Sequence, residues 1–230
     1  MIQTLYPAFR YWSYHGSVFI ISDTHFADED CKLMDPAWPS PEEQVEIINK
    51  KVTKNDTLII LGDIGDVSYV SQIRAGLRVL IKGNHDSGNS NYMLDFTVSD
   101  FESRKEASMA KKAGCIMTYM EDSHGRIQGY KTNGLFDEIY DGPLFISDKI
   151  LLSHEPIHLD FALNIHGHCH GGPLYDTDEN GKIWGINLAS NVAGYVPMSL
   201  GDIVKEGYLK EIKSIHRLTV DGAIEAKKEN

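Results

Sequence analysis

Four short apolar runs punctuate this chain: Val18-Phe19-Ile20-Ile21, Leu58-Ile59-Ile60-Leu61, Val79-Leu80-Ile81 and Ile150-Leu151-Leu152. Each is too short for a buried helix, rich in β-branched or aliphatic residues, and followed closely by Gly, Asp, Asn or His. Such runs read as buried strands. Between them the pattern changes period. Ser40-Pro41-Glu42-Glu43 carries the signs of a helix start, with Ser as N-cap, Pro in the first turn and Glu placed to close a capping box. Val45, Ile48 and Val52 then recur at helical spacing and face a core. Asn55-Asp56 turns the chain into a strand over 57–61, a helix follows near 67–75 and ends at Gly76, and a third strand spans 77–82. This β-α-β-α-β rhythm predicts a parallel sheet with crossover helices.

The remainder is less regular. Residues 1–16 are aromatic-rich and suggest no more than a short edge element, with His15 and Trp12 considered for a dimer contact. After a polar Ser/Asn/Gly stretch, Asp100 to Ala113 reads as a weakly amphipathic helix stopped by Gly114, and strands are expected at 115–120, 135–140 and 143–147. From 149 onward strands dominate, with Asp178-Glu179-Asn180-Gly181 as a hairpin turn and a charged, frayed tail from Glu225. A single domain over 1–230 is expected, because the chemically interesting positions span 23 to 170 and must meet. Residues 87–148 form an irregular insertion supplying walls to the site, where Tyr92, Tyr119, Tyr130 and His124 are candidates to stack on a ring.

Composition sharpens this picture in three ways. A hydrophobic content of 42% with 24% charged residues is that of an ordinary soluble globular protein. The longest apolar runs reach four to six residues, far from the ~20 of a membrane span, and no leader peptide is visible. Cys31, Cys115 and Cys169 are too few and scattered for a disulfide framework, so a cytoplasmic protein is expected. The net charge of −11 disfavours a broad nucleic-acid surface. Two bound divalent cations would add a local charge of about +4 and still attract an anionic substrate.

The chemistry lies in five clusters: Asp23-Thr24-His25, Gly62-Asp63, Gly83-Asn84-His85-Asp86, His154 and Gly167-His168-Cys169-His170. Four follow the predicted strands, where the crevice of an open α/β sheet collects ligands. They bring together the carboxylates, imidazoles and amide oxygen that suit a pair of borderline metal ions ~3.5–4 Å apart. Alternation along extended backbone would put Asp23 and His25 on one side, and likewise His166, His168 and His170. His166 and Asp66 are assigned supporting roles and His158 a structural one. Competing chemistries fail on residues. A thiolate phosphatase loop built on Cys169 needs Arg at position 175, which is Tyr, and serine-hydrolase, Walker and H-x-H-x-D-H signatures are absent.

The order D-x-H, G-D-x-x, G-N-H-D, H, G-H-x-H resembles the calcineurin-like metallophosphoesterase superfamily over roughly residues 17–200. That resemblance implies an α/β fold of two packed mixed β-sheets flanked by helices, in a four-layer arrangement. It implies that Asp23, His25 and His170 hold one metal, that Asn84, His154 and His168 hold the other, and that Asp63 bridges them. His85 would be the general acid, with Asp86 beside it as an orienting carboxylate. The metals would be Mn, Fe or Zn, with Mn favoured. The implied reaction is hydrolysis of a small or medium phosphate mono- or diester by water activated between the ions. A nuclease of the same superfamily and a non-catalytic metal-binding scaffold are the competing readings. The natural substrate and the oligomeric state are not legible here.

Overall fold

The computed structural model describes residues 12, 16–86, 96–113, 115–116, 118–122, 124–132 and 134–228. The chain divides into two compact units, Met1–Gly88 with Glu138–Asn230, and Asn89–Asp137.

The larger unit contains two five-stranded mixed sheets flanked by helices. In the first, β1 (Val18–Ile21), β2 (Thr57–Ile60) and β3 (Leu77–Ile81) lie parallel in sequence order. Strand β7 (Glu138–Tyr140) adds parallel to β3, and β13 (Met198–Ser199) adds antiparallel to β1. In the second sheet β9 (Ile150–Leu152), β10 (Leu163–His166) and β12 (Ile183–Asn187) are parallel, edged by antiparallel β8 (Leu144–Ser147) and β11 (Tyr175–Thr177). Every residue of β2 and β9 is buried, which is why these strands read as apolar runs rather than as alternations; β10 is equally buried although Asn164 and His166 alternate along it. The sheets are joined where Ser22 N–H donates to the Leu188 carbonyl at 3.0 Å and the Ser190 hydroxyl donates to the Ser22 carbonyl at 2.7 Å.

The strongest local signals hold. Helix α2 (Pro41–Lys51) follows the short helix α1 (Cys31–Met34), and Ser40 and Glu43 form both bonds of the capping box. Val45, Ile48 and Val52 are buried. At the predicted hairpin, the Gly181 N–H donates to the Asp178 carbonyl and Gly181 sits at φ +78°; β11 and β12 flank it.

Other expectations are corrected. The helix expected near 67–75 is a 3₁₀ segment, Val67–Gln72. Asp66 caps its start by accepting from Ser68 N–H, and side chains satisfy backbone groups that an α-helix would pair: the Ser71 hydroxyl donates to the Ser68 carbonyl, and Asn49 accepts from Arg74 N–H. The chain is not mostly strand to its end. After β13 come α4 (Leu200–Lys205) of the larger unit, a 3₁₀ turn at Tyr208–Lys210, and a helix at Ile215–Lys228 that absorbs the tail expected to fray. There Arg217 and Asp221 pair one turn apart at 2.9 Å, which supports the helix across Thr219 and Val220. Trp12, considered for a dimer contact, is buried and donates from Nε1 to Glu138 Oε2 at 2.8 Å. His15 and Tyr92 lie outside the described residues, as does the side chain of Tyr130.

The smaller unit is an antiparallel sheet in the order β4 (Phe96–Phe101), β6 (Ile127–Thr132), β5 (Thr118–Glu121), with helix α3 (Arg104–Lys112). Strand β4 runs through Asp100, so the helix begins later than predicted. Ser103 fixes its start by accepting from Glu106 N–H, while the Glu106 carboxylate reaches back to Glu102 N–H. Ala107, Ile116 and Ile127 form a small core against Phe101, Ala110 and Tyr119; Tyr119 is thus at least partly a packing residue.

Candidate metal centre

All nine site residues proposed from the sequence lie in the larger unit, in loops leaving the carboxyl ends of parallel strands. Asp23 and His25 follow β1, Asp63 follows β2, Asn84, His85 and Asp86 follow β3, His154 follows β9, and His168 and His170 follow β10. Two groups form with ligand atoms within 4.8 Å of one another: Asp23 with His25 and His170, and Asp63 with His154 and His168.

Strand alternation does not bring them together. Asp23, His25, Asp63 and His168 adopt left-handed backbone conformations with φ of 52°, 39°, 52° and 66°, a strain of about 1–3 kcal/mol each that persists only where the surroundings enforce it. Backbone bonds between loops provide that enforcement: Asp23 N–H donates to the Gly62 carbonyl and His25 N–H to the Asp63 carbonyl. Two glycines permit the close approach. A Cβ on Gly62, which sits at φ +87°, would lie 2.3 Å from Gly83 N, and one on Gly167 would lie 2.1 Å from Asp23 Oδ2. His168 N–H can therefore donate to Asp23 Oδ2 at 2.8 Å.

In the first group each imidazole is aimed by a neighbour. Asn191 Nδ2 donates to the His170 carbonyl at 2.9 Å, which turns Asn191 Oδ1 towards His170 Nδ1, also at 2.9 Å. Nδ1 then carries a hydrogen, and Nε2 points inward, facing Asp23 Oδ1 at 3.5 Å. Asp23 is fully buried and its Oδ1 has no hydrogen-bond partner. His25 Nδ1 faces Asp28 Oδ2 at 3.3 Å, which directs Nε2 towards Asp63 Oδ2, 3.8 Å away. Burial, reinforced by His170, lowers the His25 pKa against the pull of Asp23, Asp63 and Asp28.

The second group is tighter. His154 Nδ1 lies 2.7 Å from the Leu61 carbonyl, which can only accept, so that nitrogen carries a hydrogen. Nε2 then meets three groups: Asn84 Oδ1 at 2.9 Å, His168 Nδ1 at 3.1 Å and Asp63 Oδ2 at 3.4 Å. Burial alone would lower the His154 pKa, but the hydrogen bond to Asp63, the charge of Asp23 and the Leu61 carbonyl raise it to about 9. Burial would likewise raise Asp63, yet the hydrogen bonds from His154 and from His85 N–H hold its carboxyl below the ordinary carboxylate value.

His85 N–H donates to Asp63 Oδ1 at 2.9 Å, while its side chain is 65% exposed and its Nε2 lies 4.0 Å from Asp63 Oδ2. It stands at the rim, beside both groups. The Asp86 carboxylate, placed beside His85 by the sequence reading, is buried and accepts from the N–H groups of Asp63, Ile64 and Gly83. It ties the loop after β2 to the loop after β3, and so orients His85 through the backbone.

The donor set fits divalent cations on its own terms. A sealed carboxylate oxygen without a hydrogen-bond donor, facing an imidazole Nε2, is costly unless a cation lies between them. The mixture of imidazole, carboxylate and amide oxygen suits borderline first-row metals. Cys31, within reach of His25 and Asp28, is not part of this set: burial and the nearby carboxylates push its thiol up to about 12. Burial and Asp176 raise Cys169 as well, in keeping with its exclusion as a nucleophile. His166 turns away, with Nε2 on Asp176 Oδ2 at 2.6 Å, and Asp66 caps the 3₁₀ segment. His158 stacks on Trp184 with ring centroids 4.6 Å apart.

Sequence reasoning missed Asp28, Asn191 and Trp38. Asp28 had a signal, lying three residues after His25. Asn191 had none, since the strand before it was not individually resolved. Trp38 is buried, with its ring centroid 6.2 Å from that of His25 and 5.9 Å from that of His170.

The calcineurin-like phosphoesterase family model matches residues 16–188, and the chain belongs to that family. The site and the match together support a metal-dependent phosphoesterase in general terms. No curated protein matches the chain. Among solved structures, the protein of unknown function AQ665 from Aquifex aeolicus is similar at 22% identity and a TM-score of 0.49, with 82% of this chain and 98% of that one covered. Among the described residues no helix is long and apolar enough to cross a membrane.

Proposed function

We propose that the protein hydrolyses a phosphate ester with two divalent metal ions. Asp23, His25 and His170 hold one ion, Asn84, His154 and His168 hold the other, and Asp63 bridges them. The observation that carries this reading is the buried Asp23 Oδ1, without a hydrogen-bond partner, which faces His170 Nε2, turned inward by Asn191. Divalent ions in such a set supply Lewis acidity towards phosphoryl oxygens and make water more acidic at neutral pH. Mn²⁺ is the first candidate, in a cytoplasmic protein of one phosphoesterase domain that carries residues 89–137 as an insertion.

The chain's own groups do the rest. Asp86 fixes the loop bearing His85, and Asp63 Oδ1 accepts from the His85 backbone. That leaves the His85 ring exposed at the rim, where it can donate a proton to the departing oxygen as general acid. The carboxylates of Asp23 and Asp63 are buried beneath the exposed Asn84, His85 and His168, so an anionic substrate meets imidazole and amide groups rather than an acidic surface.

The test is a paired assay. Metal-stripped protein reloaded with Mn²⁺ is given a chromogenic phosphomonoester and the matching phosphodiester, with His85→Ala as control. Turnover of either ester, lost in the control while metal content stays at two ions per chain, supports the proposal. Silence on both with two ions bound overturns the hydrolase and leaves a metal-binding scaffold.

A further inference from the structure

A cavity of about 290 Å³ opens beside His25, with walls from Trp38, Pro39 and Pro41, Lys32 at its edge and Gln44 within it. Gln44 lies in the first turns of α2 and is 2% exposed. Its side-chain amide has no hydrogen bond among the described residues, and it is not sealed off either, so the little surface it keeps opens on the cavity. A nearly buried amide with no protein partner bonds to whatever fills the cavity, water or a ligand, and so is placed to read an occupant. Lys32 forms no ion pair among the described residues, although acidic side chains are plentiful on this chain.

The shape of the missing partner follows from the lining. A primary amide offers one acceptor and one donor in a plane, which matches a planar edge carrying an adjacent donor and acceptor, as Gln and Asn do with adenine. Pro39 and Pro41, both half-buried, offer flat apolar surfaces for a ring, while the indole of Trp38 is buried behind them against His25, His170 and Tyr195. The volume admits one compact ring system with its sugar, at the small end of ligand sites. Because His25 belongs to both the cavity and the first ligand group, an occupant here lies next to the reacting centre.

We propose that this cavity receives the base of a nucleoside-type phosphate ester and that Gln44 reads its edge. The proposal rests on the hydrolase reading above for the reaction, but not for the binding. In that reaction water forms a new P–O bond, the P–O bond to the nucleoside oxygen breaks, and the nucleoside oxygen leaves with a proton.

The test separates the two. Adenosine, guanosine, cytidine and uridine, none carrying phosphate, are titrated into the full metal-loaded chain and followed by saturation-transfer NMR, with ribose as control. Wild type should bind at least one nucleoside and not ribose. Gln44→Leu should bind that nucleoside at least tenfold more weakly with unchanged Mn²⁺ content, and Gln44→Glu, which keeps the size but loses the donor, should weaken it too. Absence of nucleoside binding by wild type overturns the proposal, as does equal binding by two folded variants. Turnover of the chromogenic monoester and diester reports the hydrolase separately: if both are silent while Gln44 still governs nucleoside binding, the hydrolase falls and the subsite stands. If either turns over and no nucleoside binds, the reverse holds.

Discussion

The two ligand groups solve the same problem in different ways. Around Asp23, His25 and His170, the aiming is done by side chains outside the group, Asn191 and Asp28, and a carboxylate oxygen is left with no donor. Around Asp63, His154 and His168, a backbone carbonyl does the aiming, and the ligand atoms crowd to within 3.4 Å of His154 Nε2. The first group is therefore preformed by polar second partners and electrostatically incomplete. The second can neutralise itself, because a proton on His154 substitutes for the missing cation. A charged pocket thus tolerates the loss of metal on one side better than on the other.

Removing what the groups share has the largest effect. Asp63→Asn should abolish turnover and release both metals, measured as metal content by mass spectrometry beside kcat. His85→Ala touches neither group: we expect a fall in kcat of about 10²–10⁴ with both metals retained. Asn191→Ala then sharpens the comparison. It should weaken one metal by roughly 10–100-fold and leave the other unchanged, which a two-step Mn²⁺ titration resolves; Asp28→Ala should do the same.

The smallest effect concerns protons. His154 is raised above its unfolded value, so its contribution to the stability of metal-stripped protein is full below about pH 6.5 and is lost as pH rises through about 9. The Tm of the stripped protein should therefore decline across that window. In the same protein, Mn²⁺ binding at pH 7.5 should release a proton, detected by calorimetry in buffers of different ionisation enthalpy. No decline and no release would remove the distinction between the groups.

What the sequence made legible follows from range. The capping box at Ser40 and Glu43, the buried runs before the first four of the five clusters and the Asn180-Gly181 hairpin are local signals, and the structure bears them out. The 3₁₀ segment at Val67–Gln72 was misread because its side chains compete with the backbone, a contest that hydrophobic period does not register. The helix at Ile215–Lys228 was missed because β-branched residues hide its charge pairing. The ligand residues themselves stood out by order along the chain. How they converge did not, since alternation suggested extended strands where left-handed turns at Asp23, His25 and His168 make the fit. Asn191 lies 21 residues from the ring it aims, a pairing that only the tertiary fold creates.

The central claim is that the two groups hold two ions joined through Asp63. Electron paramagnetic resonance of stripped protein titrated with Mn²⁺ tests it most directly. We predict two ions per chain and an exchange-coupled dinuclear signal that Asp63→Asn abolishes. A single ion, or two ions with only uncoupled Mn²⁺ spectra, would contradict the account.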